Sequence, residues 1–524
     1  MKTLKNDWKL GAAVGTALSL GSAGAIAGPH GFDLHNVLNG ASASFAGTSI
    51  AHTEDPVSAV FGNPATLAQY FGGTHFMFGA TFYQPRVHMV HDGSAGQATS
   101  GNTALDTLVT NNSSQTTSAP ADFAFEARSK ADVYAVPQVA VTQDLSGLGI
   151  PVVLGVGVTA TNGIGVDYKH VGNSLGAAAE LINLGVNAGI GMKMSDTLDV
   201  GVAMTITYAM LEAGLTGSGG MTHDIGFRGT VGARKHMGPM TIGLYYQTEL
   251  EHQYQNIHVT SFDGSAPFSS ATMSTVQNSP AGDGTATAVV SGVTNHTMKC
   301  NASAEVTTST GVCRQDLVAQ QPWNLGLGIS MDMGNDMLVM ADFTHKAWSD
   351  ARFFQEFYDD QNVVSFGIQK TMGNIKLRAG YGYADDPLLD TVSVGREISS
   401  IGGVNTLGDT YTSPMYNLFM SYFQAMETPV IYKHRIAVGI GVESFLGVPF
   451  LSLDAHAAIQ LEEDKCFGAG QAGTTDGYNG GSGQGSTSGM SLTTTVDVAG
   501  CTAQDHTKAT VSSFHMGGGL TWAF

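Results

Sequence analysis

The sequence predicts an all-β protein: a 14-stranded antiparallel transmembrane β-barrel with an N-terminal plug inside its lumen. Three observations lead there. Apolar residues recur at every second position in fourteen separate segments; the connections between segments alternate between short and long; and the last segment alternates up to a terminal aromatic, Phe524. Composition agrees. Charged residues make up 13% of the chain, about half the ~25% of a soluble domain. Gly is 68 of 524 residues, well above the ~7% average. No stretch after the N-terminus offers the ~20 apolar residues that a membrane helix needs. A helical multi-span protein is excluded, and a charged-surface soluble enzyme is disfavoured. The 43% apolar content speaks against disorder.

Taken in order, the chain opens with Lys2, Lys5 and Lys9 around a single Asp7, then the uncharged run Leu10–Leu20 and the small-residue pair Ala25 and Ala27. This is the layout of a secretory signal peptide over residues 1–27, cleaved before Gly28. Residues 28–72 do not alternate. Asp55-Pro56 and Asn63-Pro64 each place a capping side chain before a proline, which predicts short helices over Val57–Phe61 and Ala65–Tyr70. A piece of about 45 residues is too small to be stable alone in water, but it can be stable packed inside a lumen.

The alternating segments run over 74–90, 129–143, 151–166, 177–194, 197–214, 222–236, 238–256, 313–332, 335–350, 361–372, 374–386, 430–443, 447–462 and 509–524. In Trp323, Leu325, Leu327, Ile329 and Met331 the interleaved residues are Asn324, Gly326, Gly328 and Ser330. Strand side chains alternate faces, so each segment presents one apolar and one polar or small face. Tight connections carry turn residues, such as Met237-Gly238-Pro239, Gly334-Asn335 and Gly373-Asn374. The long ones are 91–128, 257–312, 387–429 and 463–508. Transmembrane barrels sort their loops this way. A soluble barrel of fourteen strands would point its apolar face into a lumen too wide for side chains to fill.

Charge and cysteines narrow the partners. The formal net charge is −20, so nucleic acid is not an expected partner. The four cysteines form two pairs, Cys300 with Cys313 and Cys466 with Cys501, in Gly/Ser/Thr/Asn-rich tracts and without the CxxC spacing of a metal or redox site. In an exported chain they read as two loop-stapling disulfides.

Several short motifs carry a family resemblance. Gly31-Phe32-Asp33-Leu34, Ala46-Gly47-Thr48, Asp55 and Asn63-Pro64-Ala65 resemble the N-terminal hatch of the outer-membrane long-chain fatty-acid transporter family, the FadL/TodX type. Val136-Pro137-Gln138, Asn162-Gly163-Ile164-Gly165, Thr344 with Trp348-Ser349, Leu377-Arg378-Ala379-Gly380, Asp385-Asp386-Pro387, His434-Arg435 and Trp522-Ala523-Phe524 follow in order. The resemblance implies a bacterial outer-membrane channel for passive uptake of hydrophobic molecules. Long-chain fatty acids come first, with monoaromatic or aliphatic hydrocarbons as the alternative. Outer loops capture the ligand, a lumen pocket holds it, and a lateral gap beside the kinked third strand releases it. Partners so implied are the ligand, outer-membrane lipid and lipopolysaccharide, and the barrel-assembly machinery during insertion. Asn162, Gly163 and Gly165 are the implied kink, and glycines can break a ladder there. The chain departs from the pattern at Leu215–Met221, which is too short for the helical insertion that family members often carry.

A fatty acid needs an apolar slot and a cation. Strand parity turns Arg228, Lys346, Arg378 and Arg435 inward, making them candidate head-group contacts. Each can instead pair with an inward acid: Asp199, Asp342, Glu249 or Asp454. Phe32, Leu34, Phe45 and Phe61 are candidate apolar contacts, or plain packing of the plug. No catalytic serine elbow or HExxH motif stands out, so neither enzyme activity, cofactor nor metal is expected. A surface adhesin or receptor acting through its long loops is the reading from another class.

Overall fold

In a computed structural model, the described residues are 36–92, 124–131, 133–171, 174, 177–213, 221–260, 296–300, 304–308, 313–389, 424–426, 428–429, 431, 433–468, 500–501 and 505–524. The proposed signal peptide, Phe32, Leu34 and most of the four long loops lie outside them.

Among the described residues, fourteen antiparallel staves close on themselves, the last pairing with the first from His75↔Ala523 to His91↔Thr507. In chain order the strands are β1 (Thr74–Asp92), β2 (Ala124–Arg128), β3 (Tyr134–Asp144), β4 (Val153–Asp167), β5 (Ala178–Ser195), β6 (Leu198–Ala213), β7 (Thr222–Met237), β8 (Met240–Gln247), β9 (Leu250–Thr260), β10 (His296–Cys300), β11 (Ala304–Thr308), β12 (Cys313–Gln321), β13 (Asn324–Asp332), β14 (Met337–Lys346), β15 (Gln361–Met372), β16 (Ile375–Ala384), β17 (His434–Val442), β18 (Leu451–Gly468) and β19 (Asp505–Ala523). β8 continues into β9, and β12 into β13, as single broken staves. β2 prolongs the β3 stave alongside the far end of β1. β10 and β11 form a hairpin of their own in the 261–312 connection.

The two faces of the wall differ as the alternation predicts. Phe227, Val231 and Ile225 on β7 are more than half exposed, whereas Arg228, Thr230 and Arg234 between them are buried. The same holds for Leu325, Leu327 and Ile329 on β13 and for Ile436, Val438 and Ile440 on β17. So many exposed large apolar side chains, continuous around a closed wall, suit only a lipid surface. The short turns, Gly238, Gly334 and Gly373 among them with φ of 62°, 72° and 63°, cluster at one end with Phe524. The long connections leave from the other, the loop end.

The lumen is filled by residues 36–71. A helix over Pro56–Phe61 starts where Asp55 accepts from Ser58 N at 2.8 Å. The second predicted helix is a 3-10 helix, Pro64–Tyr70, with Asn63 accepting from Ala65 N. A further 3-10 turn covers Ser42–Phe45. The plug lies directly on inward glycines. A Cβ at Gly201 would meet the Pro64 carbonyl carbon at 2.4 Å, and one at Gly380 would meet that of Phe45 at 2.3 Å. Much of the glycine excess is therefore space for the plug.

Three expectations change. The ninth segment does not run to residue 350: β14 stops at Lys346, and Trp348–Asp350 and Phe354–Glu356 are 3-10 turns. Trp348 and Ser349 therefore leave the strand. Trp348 is buried, and the Asp360 carboxylate accepts from Ser349 N and Oγ. Glu249 is exposed rather than inward, because the stave breaks between Gln247 and Leu250. The loops at 91–128 and 463–508 lose residues to strands, since β1 reaches Asp92, β18 reaches Gly468 and β19 begins at Asp505.

Candidate functional site

Among the described residues, the ladder of the wall is interrupted between β3 and β4, as it also is between the Thr222–Gly229 half of β7 and β9. β3 pairs with β4 only from Gln138↔Thr159 to Asp144↔Val153. Above that level, Tyr134–Pro137 keep their partners on β1, and 160–167 keep theirs on β5, but the two edges do not pair with each other. Contact resumes near the loop end, where Lys130 N donates to Asp167 O at 2.9 Å. Two features end the ladder. Pro137 has no N–H to donate. On the other edge a bulge at Thr161 shifts register between Ala160↔Leu184 and Asn162↔Asn183. The irregularity thus falls at Thr161, ahead of the predicted Gly163 and Gly165, which pair regularly with Ile182 and Glu180.

The bulge also reverses which side chains face in. Before it, Gly155, Gly157 and Thr159 face the plug; after it, Asn162 and Val166 are the buried side chains, Val166 within the loop-end apolar cluster. Behind the gap sits an apolar piece of the plug: Leu38, with Val37, packs on Tyr83, Tyr134, Val136 and Ala160. Its backbone is held by neutral hydrogen bonds. Gln138 Nε2 donates to Leu38 O at 2.5 Å, Gly40 N donates to Gln138 Oε1 at 2.9 Å, and Thr81 Oγ1 donates to Leu38 O at 2.8 Å.

The opposite side of the plug is held by charge. Asp342 accepts from Ser49 N at 2.6 Å and Ile50 N at 2.9 Å. Arg234 Nε donates to Ala51 O at 2.8 Å and its guanidinium pairs with Asp199. Glu54 receives Lys376 at 2.8 Å and Arg378 at 3.5 Å. Burial alone would raise the Glu54 carboxyl. The hydrogen bond from His52 and the charges of His52, Lys376 and Arg378 outweigh burial and hold it far below the ordinary carboxylate range. Within the plug, Asp55 accepts from Ala41 N and Ser58, and Asn63 donates to Ile50 O and Ala233 O. Asn63, Pro64 and Ala65 are thus a corner that seats the plug on β6 and β7.

The candidate cations separate by environment. Arg378 is committed to Asp454 and Glu54, bonds Gln369 at 2.7 Å and lies over the Phe45 ring at 5.6 Å. Arg378 and Phe45 therefore belong to the plug's seat. Arg435 is fully buried on β17, opposite Gln460 and within charge range of His515. Lys346 is buried at the loop end of β14, next to the turn that carries Trp348. Arg228 donates to Thr248 O at 2.9 Å and Pro322 O at 2.6 Å, and it lines a cavity. Asn36, Asn39, Phe61, Thr159, Ala160, Thr161, Thr205, Thr207 and Gln247 line the rest. Of the two described apolar candidates, Phe61 lines this cavity and also touches the wall at Gly157 and Gly185. At the loop end above lies an apolar tier including Tyr168, Trp348, Phe354, Phe357, Tyr358 and Phe467. Sequence reasoning missed this tier, because its aromatics sit in turns and at strand ends rather than in the alternating segments. Cys466 and Cys501 form a disulfide with Cα atoms 5.8 Å apart. The side chains of Cys300 and Cys313 lie outside the described residues.

These features define a class: a membrane-spanning β-barrel of the outer-membrane type, plugged by its own N-terminal segment, with a gap in its wall. The chain shares its fold with solved channels of that class. It aligns with a Pseudomonas aeruginosa FadL homologue at 13% identity and TM-score 0.58, covering 94% of this chain and 100% of that one. The Pseudomonas putida toluene transporter TodX aligns at 14% and 0.52, covering 94% and 99%. The Ralstonia pickettii toluene transporter TbuX aligns at 13% and 0.51, covering 94% and 99%. No protein-family model and no curated protein sequence matches the chain.

Proposed function

We propose that the chain is a bacterial outer-membrane channel of the FadL/TodX type for passive uptake of hydrophobic compounds, long-chain fatty acids first among them. The observation that carries this is the wall gap between β3 and β4, backed by Leu38 and roofed by an apolar tier. A hydrophobic solute gains little by crossing a polar lumen to water; a sideways exit passes it to lipid. The tier receives the solute from the loop end, and movement of residues 36–40 opens the gap. Arg228 is the cation placed on the path.

Monoaromatic or aliphatic hydrocarbons are the second reading, favoured by the aromatic content of the tier and by the toluene transporters that share the fold. Uptake of oleate and of toluene, compared in cells with and without the protein, tests both. Oleate uptake that survives Arg228→Ala and Lys346→Ala counts against carboxylate capture. If deleting 469–499, which spares β18, β19 and the Cys466–Cys501 disulfide, abolishes function while a Leu38-to-Val136 crosslink leaves uptake unchanged, the loops alone carry the function and the channel reading fails.

A further inference from the structure

We propose that the lumen of this chain selects amphiphiles with a neutral head carrying both hydrogen-bond donors and acceptors, an amide or a hydroxyl, over free carboxylates and plain hydrocarbons. This rests on the channel reading above, replaces its ranking of fatty acids first, and names the substrate class of the same site.

The cavity beside the gap is polar. Apart from Phe61 and Ala160, its lining is hydroxyl, amide and one guanidinium. Thr207, on that lining, is fully buried, and its Oγ1 has no partner among the described residues. Directly above, the bulge turns Asn162 inward to face its register partner Asn183, and neither amide has a partner on its nitrogen or its oxygen among the described residues. Both are fully buried. Asn187, lower on the same face of β5, donates to Val60 O while its Oδ1 is unpartnered. The unmet set therefore holds two amide donors, three amide acceptors and one hydroxyl.

Each such group is destabilising if left unmatched in a dry interior. A solute that supplies the missing partners recovers that cost; one that does not keeps the groups solvated by water it must displace. A hydrocarbon supplies none. An ionised carboxylate supplies acceptors only, so it can satisfy the two Asn nitrogens but none of the three Asn oxygens. A primary amide supplies two N–H donors and a carbonyl, and a hydroxyl supplies one of each. The path is laid out for such a molecule: an apolar tier at the loop end for the tail, then the facing pair Asn162 and Asn183, then the Thr-lined cavity at the gap.

The test uses the full mature chain in lipid nanodiscs, loaded with a fluorescent acyl probe. Dodecanamide, dodecanoate and dodecane, equal in chain length, compete for it at neutral pH. Dodecanamide is expected to displace the probe at concentrations at least tenfold below dodecanoate, with dodecane weakest. Asn183→Leu is expected to remove that preference while changing dodecane displacement less than twofold. Thr207→Val, a near-isosteric change, is expected to weaken the amide alone by threefold or more and covers the case in which the leucine variant misfolds. Folding is judged by the gel shift of the unheated barrel. Equal displacement by amide and carboxylate, or an undiminished preference in both folded variants, overturns the proposal and leaves the channel reading standing. If neither the acyl probe nor any competitor binds, both fall together.

Discussion

Gln138→Leu isolates the fastening of the plug at the gap. The substitution keeps volume and removes three hydrogen bonds: to Leu38 O at 2.5 Å, from Gly40 N at 2.9 Å, and to Thr81 Oγ1 at 2.6 Å. Leu38 O keeps its bond from Thr81 at 2.8 Å, so one acceptor stays satisfied. Gly40 N is left buried without its Gln138 partner, and a buried orphan donor costs about 1–3 kcal/mol. Adding the net worth of the bond lost at Leu38, about 0.5–1.5 kcal/mol, places the local destabilisation at about 1.5–4.5 kcal/mol. At 1.4 kcal/mol per tenfold, the opened population of residues 36–41 rises at least about tenfold.

Hydrogen exchange read by mass spectrometry reports this segment by segment. Peptides covering 36–41 should lose protection by that factor, while peptides covering 49–55 change less than threefold and the barrel strands not at all. Uptake should rise, or its lag shorten, if opening at the gap limits release. The reasoning is refuted if 49–55 loosens as much as 36–41, since the plug then moves as one body. It is also refuted if 36–41 keeps its protection in a folded variant.

The remaining predictions concern the seat. Gly201→Ala places a Cβ 2.4 Å from the Pro64 carbonyl carbon and should undock the Asn63-Pro64-Ala65 corner, raising single-channel conductance in planar bilayers while the barrel still shows its gel shift. Arg378→Gln takes the ion-pair partner from buried Asp454 and one of two cationic partners from Glu54, which keeps Lys376, and breaking a buried pair typically costs about 3–5 kcal/mol. It should expose 49–55 to exchange and leave 36–41 near its original protection. Glu54 has its folded pKa depressed below the ordinary value of 4.5. Its contribution is therefore complete above that value and is lost progressively as pH falls from there through the depressed one. The difference in protection of 49–55 between the wild type and Glu54→Gln should thus be the same at about pH 5.5 as at about pH 7 and shrink, without vanishing, by about pH 4; a difference that has vanished by then would contradict the assignment.

Much of the wall was legible because a lipid-facing barrel writes its two faces into alternate residues. Arg228 between Phe227 and Val231, or Arg435 beside Ile436, is placed inward by parity alone. The plug's caps were legible for a similar reason, since Asp55-Pro56 and Asn63-Pro64 act within four residues of themselves. What parity cannot see is a register shift. The bulge at Thr161 changes the facing of everything after it on β4, so Val166 and Tyr168 enter the lumen while the sequence shows only a Gly-rich stretch. Glu249 was misassigned for the same kind of reason, a break at Thr248–Glu249 with no proline or glycine to announce it. The apolar tier was illegible because Trp348, Phe354 and Phe357 come together through 3-10 turns, and Phe353 between them takes a positive φ of 74°, which local pattern does not forecast.

The two fastenings of the plug differ in kind, and the difference has a direction. Charged groups hold 49–55 against β7, β14 and β16, and separating them means desolvating or rehydrating several ions at once. Neutral amide and hydroxyl bonds hold 38–40 at the gap, and each can be exchanged for water or for a polar group of a passing molecule at small net cost. A plug built this way yields first at the gap, and the rest stays seated. That is what a channel needs if it is to open sideways to lipid without becoming a hole between two aqueous spaces. Reversing the arrangement, with charges at Gln138 and Thr159 and neutral partners at Lys376 and Arg378, would put the weak fastening on the wrong side and give a leaking pore with a sealed wall.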